Sequence, residues 1–207
     1  MSTTRNVKVI FLDLGGVVLE INWQRTLDLL GVTDPEKGRQ VLTLLRDWPI
    51  HHALETGNCS TEDFYAQIKK RLEIETTALE IERAWNGLIL GELAGIHEIF
   101  DTYQGRIPLV ALSNTNQPHY DYFMREFPVL KRFDHVIASQ RIGIRKPDPA
   151  IYRYALNFAG CLPDEAIFID DHLPNVVAAR ELGMQAFQTI NSPQATLAIL
   201  QQNIKFI

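Results

Sequence analysis

The chain has 207 residues, 20 Lys and Arg against 25 Asp and Glu, a formal net charge of −5, and 46% hydrophobic residues. That is the composition of a globular protein with apolar material for a sizeable core, in one domain or a core domain carrying a smaller insert. The mild acidity and the lack of a basic stripe exclude a duplex-coating nucleic-acid binder, no apolar stretch reaches the ~18 residues of a spanning helix, and two cysteines, Cys59 and Cys161, make no disulfide framework. A cytoplasmic protein with no membrane and no nucleic-acid partner, a monomer or homodimer, is the expectation.

The chain opens on a short β-branched run, Val7 to Leu12, that ends at Asp13-Leu14-Gly15-Gly16. It reads as a core strand entering a Gly-rich turn. Helical periods follow: Asn22 to Leu30 with Gly31 as the stop, Asp34-Pro35 to Asp47, Ser60 to Leu72 behind a capping box, and Thr77 to Leu88. Residues 19–90 therefore read as consecutive helices with no strand, and the segment Trp48 to Gly57 between them as a loop. After Glu92 the rhythm alternates: helix 92–103, strand Pro108 to Leu112, a helix around Tyr120 to Glu126, strand Val136 to Ser139, helix Pro147 to Ala159, strand Ala166 to Ile169, helix Pro174 to Leu182, strand Gln185 to Ile190 and helix Pro193 to Gln201. Alternating β and α elements imply an α/β fold, a Rossmann-like doubly wound parallel sheet, with the helical stretch inserted into it. The expected division is a core of 1–18 and 91–207 and an all-helical cap of 19–90.

Ligands of open α/β sheets bind beyond the carboxyl ends of the strands. Three apolar strands here end in polar groups: Asp13, then Ser113-Asn114-Thr115, then Asp170-Asp171. A fourth element, Arg145-Lys146-Pro147-Asp148-Pro149, puts a cation before a helix start. One Asp at a strand end is most simply a helix cap, and a lone lysine a solvated side chain. Four polar features at corresponding ends are not explained that way.

The ordered set Phe11-Leu12-Asp13-Leu14-Gly15-Gly16-Val17, Leu112-Ser113-Asn114-Thr115, Lys146 and Phe168-Ile169-Asp170-Asp171 resembles the four motifs of the haloacid dehalogenase superfamily of Asp-nucleophile phosphatases, along the whole chain. The helical insert is similar to that family's C1-type cap. The Ser-Asn-Thr-Asn and Asp-Asp motifs look like the subgroup of bacterial sugar-phosphate phosphatases that includes α-glucose-1-phosphate phosphatase. The resemblance implies hydrolysis of a small phosphorylated metabolite, a sugar phosphate such as a hexose 1-phosphate, through an aspartyl-phosphate on Asp13. It implies Mg²⁺, held by the Asp13 carboxylate, the Gly15 carbonyl and Asp171, with Asp170 a further ligand or the holder of a metal-bound water. Gly15, Gly16, Ser113, Asn114 and Thr115 would offer donors to the phosphate, and Lys146 would pair with both Asp13 and phosphate.

One position departs from the pattern. Phosphatases of the superfamily usually carry a second Asp two residues after the nucleophile, as general acid and base; here it is Gly15. Either the leaving group departs readily, or Asp170, His172 or a cap residue acts instead, or turnover is poor. Trp48, His51, His52 and Glu55 are candidates for specificity, with ordinary packing the simpler role of each; His119 could face the site but reads more simply as a helix-surface or partly buried histidine. The alternatives to a phosphatase are a phospho-ligand- or partner-binding protein without turnover and a haloacid dehalogenase, which would need no acidic pair at 170–171.

Overall fold

The computed structural model describes residues 6–204. Its centre is β1 (Val9–Leu12), a continuous apolar run with all four residues buried, as a parallel strand covered on both faces requires. The insert follows between two short strands, β2 (Leu19–Ile21) and β3 (Ile89–Glu92), which pair antiparallel. Between them lie α1 (Trp23–Leu29), α2 (Pro35–Asp47), α3 (Pro49–Glu55), α4 (Thr61–Leu72) and α5 (Ala78–Asn86). The chain then alternates through α6 (His97–Tyr103), β4 (Leu109–Ser113), α7 (Gln117–Glu126), β5 (His135–Ala138), α8 (Ser139–Ile142), α9 (Pro149–Ala159), β6 (Ala166–Asp170), α10 (Leu173–Glu181), β7 (Gln185–Gln188) and α11 (Pro193–Asn203).

The strand order is β5-β4-β1-β6-β7, all parallel. From β1 the chain builds one flank through β4 and β5, then crosses to the other through β6 and β7. The order reverses at β1, so the carboxyl ends of β1, β4 and β6 meet at the switch point where such sheets bind ligands. Successive side chains alternate between faces. Ile10, Leu12, Leu109, Ala111, Ile167 and Ile169 join one apolar layer with α6, α7 and α11; Val9, Phe11, Val110, Leu112 and Phe168 join the other with α9 and α10. The inserted helices hold a third cluster, built on Leu27, Leu54, Phe64, Ile68, Ile81 and Trp85. No helix among the described residues is long and apolar enough to cross a membrane.

Two expectations are corrected. The insert is not strand-free: β2 and β3 frame it, and β3 occupies the start of the expected helix 92–103, which begins only at His97. Strands of three and four residues, one bulged at Glu20/Ile21, are too short to show an alternating pattern. The expected loop at 48–57 contains α3, whose N-terminus is set by Pro49, a residue preorganised for the first helical position. Elsewhere Asn22, Asp34 and Ser60 cap helices as expected, each accepting a backbone N–H at a helix start; Thr77 and Asn116 do the same for α5 and α7, and Asn116 starts α7 earlier than the expected Tyr120.

The sheet layers carry the stability. Phe100 is fully buried and meets Phe133 edge-to-face at 4.9 Å. Phe100→Ala is expected to cost about 3–5 kcal/mol in urea unfolding; a loss below ~1 kcal/mol would mean that this layer collapses around the void.

Candidate functional site

Asp13 follows β1 directly, and its backbone N–H still bonds across the sheet to Ile169 O at 2.9 Å. One carboxylate oxygen, Oδ1, accepts from the Leu14 N–H at 2.8 Å and stands 2.9 Å from Lys146 Nζ. Lys146 is 1% exposed. Its ammonium also donates to Asp170 Oδ2 at 2.6 Å and to the Leu112 carbonyl at 2.7 Å. A buried ammonium with three acceptors from three strand ends is not a surface lysine. Burial alone would lower its pKa; the charges of Asp13 and Asp170 more than reverse that, and it is raised.

Asp170 ends β6 and is fully buried. Besides Lys146 it takes the His172 N–H at 2.8 Å on Oδ1, and Asn175 Nδ2 reaches both oxygens at 3.0 and 3.1 Å. The pair at 170–171 is therefore not a helix cap: α10 is preceded by His172, which makes no side-chain cap bond. Oxygen atoms of Asp13, Asp170 and Asp171 lie within 4.8 Å of one another. Burial, then the neighbouring carboxylates, push Asp13 up to about 8 and raise Asp171, with Lys146 opposing. Fully ionised, the three carboxylates would exceed the one ammonium by two negative charges, which together with burial is why Asp13 and Asp171 hold their protons more tightly than usual. Hard oxygen donors and that excess fit a divalent cation such as Mg²⁺. Because Asp170 is already held by Lys146 and Asn175, Asp13 and Asp171 are the freer ligands.

The Gly-rich turn is shaped by the same cluster. Gly16 has φ +72°, and a Cβ there would lie 2.6 Å from Asp171 Oδ2, so only glycine lets the turn pass the carboxylate. The Gly16 N–H, expected to meet phosphate, instead bonds Leu19 O at 2.8 Å and closes the turn. Asn114 differs too. Its amide oxygen accepts the Lys146 N–H and its amide nitrogen donates to the Lys146 carbonyl, both at 2.8 Å. It pins the lysine's backbone to the end of β4 rather than presenting itself to a ligand. Ser139 fixes Thr115 the same way, accepting its N–H at 3.0 Å and donating to its carbonyl at 3.1 Å.

Gly15, Ser113, Asn114 and Thr115 open onto a cavity of about 100 Å³ whose far side is formed by the insert, from β2, β3, α1 and α3. His119 lines it and is buried, so it faces the site, the alternative to the helix-surface or partly buried position that its sequence context favoured. Its Nε2 donates to Trp85 O at 3.0 Å, and its Nδ1 accepts from Asn116 Nδ2 at 3.0 Å; the ring stacks on Trp85 at 5.0 Å. This closed circuit ties α5 to the start of α7. His51 and Glu55 also reach the cavity, from α3 rather than from the loop expected at 48–57. Trp48 does not line it; its ring packs against Phe64 and beneath Arg71. Arg145 stands 2.8 Å from Glu55 across the boundary between insert and sheet, a pairing that no sequence signal announced.

The sequence model of the haloacid dehalogenase-like hydrolase family matches residues 7–183. D-ribitol-5-phosphate phosphatase of Bacteroides thetaiotaomicron is 27% identical over 201 residues, covering 89% of this chain and 93% of that protein. Drimenol cyclase of Aspergillus calidoustus is 26% identical over 188 residues, 87% of this chain, which spans only 33% of that longer protein. Among solved structures, a haloacid dehalogenase family enzyme of Bacteroides thetaiotaomicron in complex with magnesium and inorganic phosphate superposes with a TM-score of 0.80 at 23% identity, covering 92% of this chain and 98% of its own.

His119 makes stability depend on acid. Burial pushes its pKa down to about 3 in the folded chain, against about 6.5 when unfolded. Between those values the unfolded chain binds a proton that the folded chain refuses, so stability falls as pH drops below ~6.5. The slope this residue contributes reaches at most about 1.4 kcal/mol per pH unit. Urea midpoints from pH 7 to 4.5 are expected to fall more steeply for the wild type than for His119→Gln; parallel slopes would show that the ring takes up its proton without breaking the circuit.

Proposed function

The chain belongs to the haloacid dehalogenase-like hydrolase family, and on that footing we propose that it is a Mg²⁺-dependent phosphatase of small phosphorylated metabolites, sugar phosphates such as a hexose 1-phosphate among them, with Asp13 as its nucleophile. The observation that carries this reading is Lys146 held between Asp13 and Asp170 at the strand switch point, with Asp171 completing the carboxylate cluster. The relative named as a ribitol-phosphate phosphatase, aligned over nearly its full length, supports the phosphate-ester class.

Asp13 Oδ1 is engaged by Lys146 and the Leu14 N–H, which leaves Oδ2 as the attacking oxygen. Attack on phosphorus forms an aspartyl-phosphate and breaks the bond to the leaving-group oxygen; water then cleaves the acyl-phosphate and restores Asp13. Phosphoryl transfer depends on positioning and charge neutralisation. Lys146 supplies positive charge beside the attacked phosphoryl group, and Asn114 and Asp170 keep it aimed. Asp13 and Asp171 would hold Mg²⁺, with the Gly15 carbonyl, and Asp170 would orient the lysine and the ion's outer ligands. The bound ion's chemistry is neutralisation of the phosphoryl oxygens. Ser113, Thr115 and the Gly15 N–H are the remaining donors toward phosphate.

Helices α1–α5 act as the cap over the core of 1–18 and 91–207, shielding the reaction from water and contacting the leaving group. Gly15 supplies no acid, so the leaving-group oxygen departs as a weakly basic anion or takes a proton from elsewhere. The cavity of about 100 Å³ favours a small leaving group.

Phosphate release from a panel of phosphorylated metabolites tests the reading. Wild-type protein is expected to turn over in Mg²⁺, to stop with EDTA and to recover when Mg²⁺ is returned, while Asp13→Asn lowers the rate ~10³-fold or more. Undiminished release by that variant would dismiss Asp13 as nucleophile. Mg²⁺ is also expected to raise the melting temperature by mass action, and Asp171→Asn to remove most of that rise; an equal rise in both proteins would place the ion elsewhere. If leaving-group basicity limits the rate, kcat/KM for hexose 1-phosphates exceeds that for the matching 6-phosphates by at least ~10-fold; equal values would point to a substitute acid.

A further inference from the structure

The leaving-group side of the cavity holds a charge that the proposed chemistry does not use. Glu55, in the last turn of α3, is 7% exposed. It lines the same cavity as Gly15, Ser113 and Thr115, where most other cap-side walls are apolar: Leu19, Ile21, Leu88 and Ile89. A carboxylate among such walls is costly unless paired and hydrogen-bonded. Its pairing is with Arg145, 2.8 Å from Glu55 Oε2 to Arg145 Nε. The two groups are close but not aligned: neither atom makes a hydrogen bond, though both are buried. The pair therefore balances charge through the buried Oε2 and leaves Oε1 outside the contact with Arg145.

His51 does not donate to Oε1. Its Nδ1 lies 2.9 Å from Leu45 O, and since a carbonyl only accepts, Nδ1 carries the proton. Burial lowers the ring's pKa, so the ring is neutral and Nε2 presents a lone pair. That Nε2 lies 3.6 Å from Glu55 Oε1, an acceptor facing an acceptor. His119, the other cavity histidine, has both nitrogens engaged. The cap side of the cavity thus offers two adjacent acceptors, Glu55 and His51 Nε2, with no donor between them, and a ligand there must bring the donors.

The position is also fixed. Gly57, just after α3, has φ +69°, and a Cβ there would lie 2.6 Å from Gln140 O. The turn is seated against α8 too closely for any other residue. Arg145 is the neighbour of Lys146, so the residue that holds Glu55 comes from the loop that delivers the lysine to Asp13.

We propose that Glu55 is a specificity-determining residue that accepts hydrogen bonds from the hydroxyl groups of the leaving group, with vicinal hydroxyls shared between it and His51, and that Arg145 holds it in place. This rests on the phosphatase reading above. It would let a site without an acid at Gly15 choose polyol-type over plain alkyl esters: selection would come from donors on the ligand, not from proton transfer. A site built to bond a substrate hydroxyl rejects the analogue that lacks it, because its buried acceptor is left unpaired.

The test compares glycerol 3-phosphate with propyl phosphate, which differ only in the two hydroxyls, and with p-nitrophenyl phosphate, which has none on its leaving group. The wild type is expected to favour glycerol 3-phosphate over propyl phosphate by ~10-fold or more in kcat/KM. Glu55→Ala is expected to bring that ratio within ~3-fold of one, and Glu55→Gln, which keeps the shape and one acceptor oxygen, to give an intermediate ratio. Thermal unfolding of each variant reports whether the fold is kept, and Glu55→Gln carries the test if the alanine variant does not fold. A wild-type ratio near one, or a variant that slows all three substrates in parallel and keeps the wild-type ratio, overturns the assignment while the phosphatase reading stands. No release from any of the three while the metabolite panel is turned over also overturns the assignment; no release from the panel either removes the phosphatase reading and this inference with it.

Discussion

The site is organised by one buried cation. Lys146 sits at the meeting point of three strands, with its ammonium on Asp13 after β1, Leu112 in β4 and Asp170 at the end of β6. Taking a lysine and two carboxylates out of water is costly, and the cost is offset only where geometry and further hydrogen bonds are good. Much of the surrounding structure meets that condition. Asn114 grips the lysine's backbone from both sides, Asn175 and the His172 N–H satisfy Asp170, and Phe168 lies under the ammonium at 5.5 Å. Removing the ammonium would leave two buried carboxylates facing each other, so the ion cluster and the strand ends that carry it depend on one another.

The parallel sheet makes this cluster possible. Strands that start from one flank and then cross to the other leave a crevice at β1. Polar residues far apart in the chain, at 13, 113–115, 146 and 170–171, fall into that crevice because each follows a strand or precedes a helix at the same end of the sheet. The carboxylates gathered there fit a divalent cation. The chain's overall acidity bears little on this: the insert of 19–90 carries 12 acidic and 8 basic side chains, and the site's charge is set by three carboxylates and one lysine.

The inserted helices meet the sheet through specific contacts. Trp85, Asn116 and His119 join α5 to α7, and Glu55 with Arg145 joins α3 to the lysine loop. These contacts also wall the cavity next to Gly15. On the proposed reading, the side of the pocket that would face a leaving group is built from the insert, outside the strand-end motifs, and such a division lets one fold keep its chemistry and change its substrate.

Much of this was legible in the residues. The strands at Val9, Leu109 and Ala166 announce themselves by unbroken apolar runs, the helices by their caps, and the site by polar residues at strand ends. Those signals are local, set by backbone propensity and burial within a few residues. Other features had no local signal. Strands β2 and β3 are too short to show a period. Helix α3 rests on one proline and on packing. That Asn114 and the Gly16 N–H serve the lysine and the turn rather than a ligand, that His119 is buried and neutral, and that Glu55 meets Arg145, follow from contacts between residues far apart in sequence. The chain by itself determined which chemistry the strand ends could carry; only the tertiary structure decided which donors and acceptors are left over for a ligand, because that depends on which ones the fold has already paired.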